Sequence, residues 1–237
     1  MITHAAEGST ASRPDSVGEG RVRSPDAVPF LDLFHTGHMD EAKALVKAHH
    51  YSGLTPNNVV VVGTIHEPGG LFGDSGPVMA ACFFGSPPAR WSEPVLELVR
   101  LVRTPDCTVP LSVLVGRTCS YIKAKRMADL LVSMADPTHD HHGGIYQACS
   151  WKFGGQRARC MDGVTVNGQF YAGRAANNHW GTRSPTRLQA MGVDAQPHYD
   201  EGKFLYWRAL SRSGKRKADR LGLLNLPYPK PDEAAAA

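Results

Sequence analysis

The sequence predicts an α+β, or mixed α/β, domain, and the order of its apolar patterns supports this prediction. A helical pattern is followed by several short apolar runs, a second helical pattern, another apolar run, and then further short helices and strands. No GxGxxG motif follows a predicted strand, which argues against a Rossmann fold. With 237 residues, 42% of them hydrophobic, the chain can build one sizeable core.

The first half of the chain predicts a helix and three strands. Met39–His50 places apolar side chains at helical spacing, behind two acidic residues in its first turn. Gly53 suits the C-terminal cap of this helix. Three apolar runs predict strands, the first two joined as a hairpin: Asn58–Gly63, Pro77–Phe84 and Pro94–Arg103.

A second predicted helix leads into the most distinctive stretch of the sequence. Pro110–Met127 has helical periodicity and begins at its proline or at Ser112. Leu130–Ala135 predicts a buried strand that stops at Asp136. After a histidine-rich loop, Ile145–Phe153 predicts a short helix.

The loop between that strand and that helix is a candidate site. It contains His139, His141, His142 and a glycine pair, and it separates Asp136 from Tyr146. A strand end fixes a carboxylate, and a helix N-terminus offers unpaired N–H groups and a positive dipole end to an anion. The alternative is an ordinary turn, since Asp-Pro and Gly-Gly both favour turns and histidines in loops are commonly solvated.

The second half predicts shorter elements. Gly163–Tyr171 predicts a strand or hairpin containing an Asn-Gly pair, which favours a tight turn. Ser184–Met191 predicts a helix with a proline at its first position. Lys203–Leu210 predicts a last strand, and Gly214–Leu221 predicts a basic helix or arm.

Composition predicts one domain, residues 27–230, between two disordered tails. Residues 1–26 are rich in Ser, Gly and Pro, and residues 231–237 are similar. No apolar run approaches the ~20 residues that a membrane span needs, and the N-terminus lacks the form of a signal peptide. The five cysteines form no CxxC pair, which favours a reducing cytoplasm over a disulfide framework or a zinc site.

The distribution of charge favours a polyanionic partner. Residues 27–150 carry a net charge of −2, whereas residues 151–220 carry +8. A basic second half favours nucleic acid over simple solubility. The candidate phosphate-binding residues are Arg157, Arg159, Arg174, Arg183, Arg187, Lys215, Arg216 and Lys217. Four aromatic residues in this half could stack on bases or belong to the core: Trp151, Phe153, Tyr171 and Trp180.

The order of the predicted elements resembles the GNAT acyltransferase fold, a central, mostly antiparallel sheet with splayed central strands and flanking helices. In that fold the gap between the two central strands holds the acyl donor. The resemblance implies donor-binding roles for Arg100, Arg103 and Ser112. Arg100 could instead pair with Glu97, and Ser112 could start its helix. The family's glycine-rich pyrophosphate loop is absent, so acetyl-CoA is only one of the donors left open.

Several short segments, spread over about residues 40–230, match a second family in order and spacing. They are His50-Tyr51-Ser52, Glu97–Leu101, Ser133–Asp136, Gly144–Ala148, Lys215–Leu223 and Leu226–Lys230. Together they resemble Mom, a family of phage DNA-modification proteins. The resemblance implies conversion of adenine in double-stranded DNA to N6-(carbamoylmethyl)adenine, which protects the DNA from host restriction enzymes. It also implies a location in the cytoplasm of an infected or lysogenic bacterial host.

The same resemblance implies an iron site and roles in catalysis. The matched iron ligands are His50, Tyr51, Asp136 and Tyr146. Imidazole, carboxylate and phenolate are donors that suit iron. The alternative is that His50 caps a helix and both tyrosines pack with hydrogen-bonded hydroxyls. Asp136 is the candidate base, Tyr51 or Tyr146 would orient the base or the donor, and Ser112 would bind the donor.

Three classes of function remain open on the sequence alone. They are a Mom-like DNA-modification enzyme, a GNAT acyltransferase acting on a small amine or a protein, and a non-catalytic DNA-binding protein. The adenine N6 lies in the major groove, so access to it could require base flipping or a distorted duplex. The donor of the carbamoylmethyl group, the role of iron and the oligomeric state, with a homodimer among the alternatives, are also open.

Overall fold

A computed structural model describes residues 34–50, 53–68, 76–87, 91–137 and 141–229 of the protein. These residues form a seven-stranded sheet, a three-stranded sheet and six helices. The two predicted disordered tails, 1–26 and 231–237, lie outside the described residues.

The elements have the following bounds. The strands of the large sheet are β1 (Phe34–Thr36), β2 (Val59–His66), β3 (Val78–Gly85), β4 (Leu96–Arg103), β5 (Leu130–Ala135), β6 (Lys152–Gln156) and β10 (Phe204–Ala209). Those of the small sheet are β7 (Met161–Val166), β8 (Gln169–Ala172) and β9 (Ala195–Tyr199). The helices are α1 (Met39–His49), α2 (Leu111–Ala124), α3 (Gly144–Ala148), α4 (Gly173–Trp180), α5 (Pro185–Ala190) and α6 (Arg212–Arg220). None of these helices has the length and apolar character of a membrane span.

The large sheet has the strand order β1-β2-β3-β4-β5-β10-β6. Its neighbours are antiparallel except for β4 and β5, which are parallel and are connected through α2. A mixed, mostly antiparallel sheet with flanking helices confirms the fold class that the sequence predicts.

The central strands are buried on both faces, because successive side chains of a strand point to opposite sides of the sheet. On one face α1 packs through Ala42 and Val46 against a layer that contains Phe83. On the other face α2 packs through Leu114 against a layer that contains Phe84. The sheet is therefore held between the two helices. Truncating either phenylalanine to alanine would lower the free energy of unfolding by about 3–5 kcal/mol.

The small sheet belongs to a segment inserted between β6 and β10. It has its own apolar cluster with α4 and α5, which includes Val164, Ala176 and Leu188. The predicted hairpin is confirmed as β7 and β8. Its two turn residues, Asn167 and Gly168, both have positive φ, at 51° and 79°, as a tight two-residue turn between twisted strands requires.

The predicted helix Ile145–Phe153 is wrong in its second half. Helix α3 is only five residues long, and the left-handed backbone of Ser150, with φ of 57°, lies beyond its end. The following residues form β6, which pairs with β10. Trp151 and Phe153 are therefore buried in the main core and are unavailable for stacking on bases.

The remaining predicted elements are confirmed with shifts of a few residues at their ends. Strand β2 extends to His66, three residues past its predicted end, because the chain continues to pair with β3. Strand β1, helix α4 and strand β9 are absent from the sequence-based prediction. Among the described strands, β9 pairs with β7 alone. Its sequence, AQPHY, contains a proline and has no apolar alternation by which a strand is recognised.

Candidate active site

The two parallel strands β4 and β5 pair only at their beginnings. Leu96, Glu97 and Leu98 pair with residues 131–133, and no further pairs follow within these two described strands. Beyond that point β4 continues along β3, and β5 continues along β10. Each strand follows its antiparallel neighbour, so a cleft opens between them. This divergence confirms the splayed central strands that the sequence predicts.

An irregularity in β4 coincides with the start of the cleft. Phe83 pairs with Arg100 while the adjacent Phe84 pairs with Leu98, so Val99 is an extra residue in β4. A bulge of this kind bends the strand and increases its local twist, and such bulges are frequent beside active sites. The bulge therefore contributes to the separation of β4 from β5.

A buried pair of hydroxyl groups closes the inner end of the cleft. Ser133 Oγ lies 2.9 Å from the carbonyl oxygen of Leu98 and 2.8 Å from the hydroxyl of Tyr146. Ser133 has one hydroxyl proton, which it can donate to the carbonyl while its oxygen accepts from Tyr146. The Tyr146 ring also packs against Trp151 and Tyr206. These contacts position Tyr146 at the junction of β4, β5 and α3.

The end of the histidine loop is fixed to β10 by Tyr206. The Tyr206 hydroxyl donates to the carbonyl oxygen of His142 at 2.6 Å and accepts from Gln147 Nε2 at 3.2 Å. Burial raises the pKa of Tyr206, so the hydroxyl keeps its proton and remains a donor. Gly143 adjoins this contact with φ of 78°, and a β-carbon there would collide with the Tyr206 ring. Glycine alone adopts this positive φ without strain and has no β-carbon to collide with the ring.

The cleft contains a cavity of about 490 Å³. Its polar lining residues are His50, Glu97, Arg100, Asp136, His141, His142, Tyr146 and Lys203. Its apolar walls come mainly from β4, β5, Leu111 and Ile145. A cavity of this size with a few convergent polar groups has the character of a small-molecule or active site.

Two acidic groups in the cleft differ in their electrostatic environment. Asp136 forms an ion pair with Lys203, at 3.3 Å between Oδ2 and Nζ. Burial raises the pKa of Glu97 from 4.5 to about 7, although the positive charges of Lys203 and Arg100 oppose this shift. Glu97 is therefore the carboxyl group suited to exchange a proton near neutral pH.

The cleft brings together several residues that the sequence analysis selects. His50, Arg100, Asp136 and Tyr146 all line the cavity. The Arg100 guanidinium also donates to the carbonyl oxygens of Leu54 and Val99, at 3.2 and 2.7 Å. Tyr51 and His139, which the sequence analysis also selects, lie outside the described residues.

Other selected residues are not part of the cavity lining. Arg103 is exposed at the end of β4, and Ser112 lies in the first turn of α2 with its carbonyl oxygen accepting from Cys149. Conversely, Glu97 and Lys203 line the cavity although the sequence analysis gives them no catalytic role. The sequence does contain a signal for Glu97: it lies between two leucines in a predicted strand, and a carboxyl buried at such a position is unusual.

The basic residues proposed to contact DNA differ in their surroundings. Arg157, Arg159, Arg174, Arg183, Arg187, Lys215 and Arg216 are exposed. Lys217 is only partly exposed and forms an ion pair with Asp129 at 3.0 Å, and Lys215 pairs with Asp219 at 2.8 Å. Lys217 therefore has a structural contact that joins α6 to the start of β5. Tyr171 and Trp180 pack on each other with ring centroids 4.8 Å apart.

The mixed sheet opens between two parallel strands over a polar cavity, which is the GNAT-like form that the sequence analysis predicts. Comparison with protein-family models then matches the Mom protein family over residues 34–230. The chain therefore belongs to the Mom protein family. No curated protein matches the chain significantly.

Two solved structures of acetyltransferases are similar to this chain at low identity. An N-acetyltransferase from Staphylococcus aureus Mu50 is 10% identical, with a TM-score of 0.41 over 75% of this chain and 97% of that chain. A protein described as a GNAT-family acetyltransferase from Desulfovibrio desulfuricans is 11% identical, with a TM-score of 0.40 over 75% of this chain and 98% of that chain.

Proposed function

We propose that the protein attaches a carbamoylmethyl group to N6 of adenine in double-stranded phage DNA, and so protects that DNA from host restriction enzymes. The observation that carries the proposal is membership of the Mom family over residues 34–230, since this family indicates phage DNA modification. The cleft between β4 and β5 supports transferase chemistry, because titratable groups line its cavity of about 490 Å³.

Glu97 is the proposed base. The adenine N6 is a weak nucleophile because its lone pair is conjugated with the ring. As the new N6–carbon bond forms, a proton must leave N6 and the bond between that carbon and the donor's leaving group must break. A carboxyl group with a pKa of about 7 is ionised in about half of the molecules at neutral pH and accepts a proton more readily than an ordinary carboxylate. Asp136, which the sequence suggests as base, forms an ion pair with Lys203, and we assign it a binding role instead.

The positive groups of the cleft are the proposed donor-binding residues. Arg100 and Lys203 line the cavity and can pair with a carboxylate or phosphate of the donor. Arg103 and Ser112 would contact only a donor that extends beyond the cavity. The donor itself stays unassigned, with acetyl-CoA among the alternatives.

An iron ion fits the donor chemistry of the cleft. His50, Asp136 and Tyr146, which line the cavity, would hold it, because imidazole, carboxylate and phenolate groups suit iron. The family resemblance adds Tyr51, outside the described residues, as a further ligand. When bound, iron would supply a Lewis acid or a redox centre beside the reacting groups. Ser133 supports this role by orienting the Tyr146 hydroxyl.

The exposed basic residues of the second half are the proposed DNA-binding surface. Contacts to phosphates would position the duplex without selecting its sequence. The target adenine would then leave the base stack to reach Glu97, as in other enzymes that act on a base within a duplex.

The proposal is tested by expressing the protein in cells that carry a plasmid, and analysing the plasmid nucleosides by mass spectrometry. We expect a deoxyadenosine heavier by one carbamoylmethyl group, lost in Asp136→Ala and Glu97→Gln. Glu201→Gln, which removes an exposed acid outside the cavity lining, should retain it. Unmodified DNA from abundant, folded protein would contradict the proposal.

The fold also allows a second function, N-acylation of a small amine or protein, because the cleft has the form of an acyl-donor site. An acetyl-sized increment on adenine, or saturable acetyl-CoA binding without DNA binding, would favour this alternative. DNA binding without any change in nucleosides would instead favour a non-catalytic role.

A further inference from the structure

A second group of polar side chains lies at the edge of the large sheet, outside the cavity lining. His35 belongs to β1, His38 immediately precedes α1, and His66 is the last residue of β2. Strand β3 separates β2 from β4. Pairing of His35 with Thr64 brings β1 beside the end of β2, so the three histidines converge from different elements.

The three imidazole rings contact one another edge to face. The ring centroids of His38 and His66 are 4.5 Å apart, those of His35 and His66 are 4.6 Å apart, and those of His35 and His38 are 5.9 Å apart. The three rings therefore lie close enough together for ring nitrogens from different elements to approach one ion.

His66 is the buried member of the group, with an exposed fraction of only 2%. Its Nδ1 lies 2.8 Å from the carbonyl oxygen of Gly76, which can only accept, so Nδ1 carries the proton. The lone pair is then on Nε2, 3.1 Å from the Thr64 hydroxyl. That hydroxyl can donate instead to the carbonyl oxygen of His35, at 3.4 Å. A carbonyl at one ring nitrogen is the usual orienting contact of a metal-binding histidine.

Glu41 completes the group from the first turn of α1. Its Oε2 lies 3.3 Å from Nδ1 of His38. One ligand atom each from His38, Glu41 and His66 all lie within 4.8 Å of one another. In a tetrahedral site with bonds of about 2.1 Å, ligand atoms are about 3.4 Å apart. Because His38 and Glu41 are exposed, small rotations of their side chains can close this difference.

We infer that His38, Glu41 and His66 bind a divalent transition-metal ion of the zinc class, with His35 packed against the site as a neighbouring imidazole. Two imidazoles and a carboxylate are a common ligand set for such ions. The ion would join the start of α1 to the end of β2. Helix α1 is about 16 Å long, and His50 follows its other end in the cleft. The edge site would therefore be distinct from the proposed iron site and would anchor the helix that carries His50.

The test measures zinc binding to the full-length protein after treatment with a chelator. Asp136→Asn serves as the parent variant, so that binding in the cleft is reduced. We expect saturable binding of one Zn²⁺ per chain, and a rise in Tm on zinc addition that chelation reverses. Adding His38→Ala and Glu41→Gln should raise the Kd at least about a hundredfold. Both residues are exposed, so these changes should leave the fold intact.

The matched control changes the same kinds of residue on α1 outside the group, with His49→Ala and Asp40→Asn. This control should leave the Kd unchanged. Replacing zinc by Co²⁺ gives a second measurement, in which visible absorption bands of low-symmetry cobalt should appear in the parent and disappear in the His38 and Glu41 variant. Absence of saturable zinc binding, an unchanged Kd in that variant, or an equal loss in the control would overturn the inference. None of these results depends on DNA modification, so the proposed function is tested separately.

Discussion

The hydroxyl groups of Ser133 and Tyr146 lie 2.8 Å apart at the point where β4 and β5 cease to pair. Ser133 is buried and also reaches the carbonyl oxygen of Leu98 across the two strands. This side chain therefore replaces the next backbone contact of the parallel ladder. Ser133 thus contacts both β4, where its pairing with β5 ends, and the hydroxyl of Tyr146.

Replacing Ser133 by alanine should destabilise the protein by about 1–3 kcal/mol, because it removes the buried hydroxyl that contacts both Leu98 and Tyr146. It should also reduce adenine modification, since Tyr146 loses an orienting contact. Urea denaturation and nucleoside analysis measure the two effects. Ser120→Ala, which removes an exposed helix hydroxyl bonded to the Gly116 carbonyl oxygen, should change stability by no more than about 0.5 kcal/mol. Equal effects of the two substitutions would refute a special role for Ser133.

Glu97→Gln should stabilise the protein at high pH. The folded state holds the Glu97 proton to about pH 7, whereas the unfolded chain releases it near 4.5. Stability linked to this carboxyl is therefore fully present below pH 4.5 and is lost as the pH rises through about 7. The glutamine of the variant does not ionise, so its stability does not fall in this way. The free energies of unfolding of the two proteins should be similar below pH 4.5 and differ by about 3 kcal/mol above pH 7. Denaturation at several pH values measures the difference.

The raised pKa of Glu97 also predicts how the rate of modification depends on pH. If Glu97 accepts the N6 proton, the rate of modification should rise with pH through about 7. Glu97→Gln should lose both the activity and this rise. A wild-type rate that stays constant from about pH 5.5 to about pH 8.5 would remove Glu97 as the base.

The sequence predicts the arrangement of the main sheet well, because each central strand has a strong apolar pattern. Strand β5 is predicted with its observed bounds, and both Asp136, which follows it, and Tyr146 of α3 line the cleft. The helix after the loop is predicted too long, since the apolar residues Trp151 and Phe153 suit a buried strand equally well. Periodicity cannot separate these alternatives over so short a segment.

Contacts between distant segments are what the sequence could not supply. Lys203 meets Asp136 only because β10 pairs with β5. His38 and His66 meet only because β1 pairs with β2. The raised pKa of Glu97 depends on burial that arises from the whole cleft. None of these relationships follows from local spacing.

Gly143→Ala should be strongly destabilising and should abolish modification. Gly143 has a positive φ, and an added β-carbon would collide with the Tyr206 ring that holds the histidine loop. We expect a loss of more than about 2 kcal/mol. The neighbouring Gly144 lies in the first turn of α3, where an added β-carbon has no described atom within 4 Å. Gly144→Ala should therefore be tolerated, and denaturation of both variants measures the contrast.

Arg216 and Lys217 provide a test of the proposed DNA surface within one helix. Arg216 is exposed, whereas Lys217 forms an ion pair with Asp129. Lys215→Ala with Arg216→Ala should weaken binding evenly across DNA sequences. The slope of log K against log salt should fall by roughly 1 for each phosphate that the variant no longer neutralises.

Lys217→Ala alone should have the opposite profile. It removes the ion pair with Asp129, so it should reduce stability with little change in the salt slope. Hydrogen bonds from Ser211 and Lys217 lower the pKa of Asp129. Adding Lys217→Ala to the other two should then lower stability further without flattening the slope further. Fluorescence anisotropy with duplex DNA over a range of salt concentrations, combined with thermal denaturation, separates the two effects. An unchanged slope in the double variant would exclude this face of α6 from DNA binding.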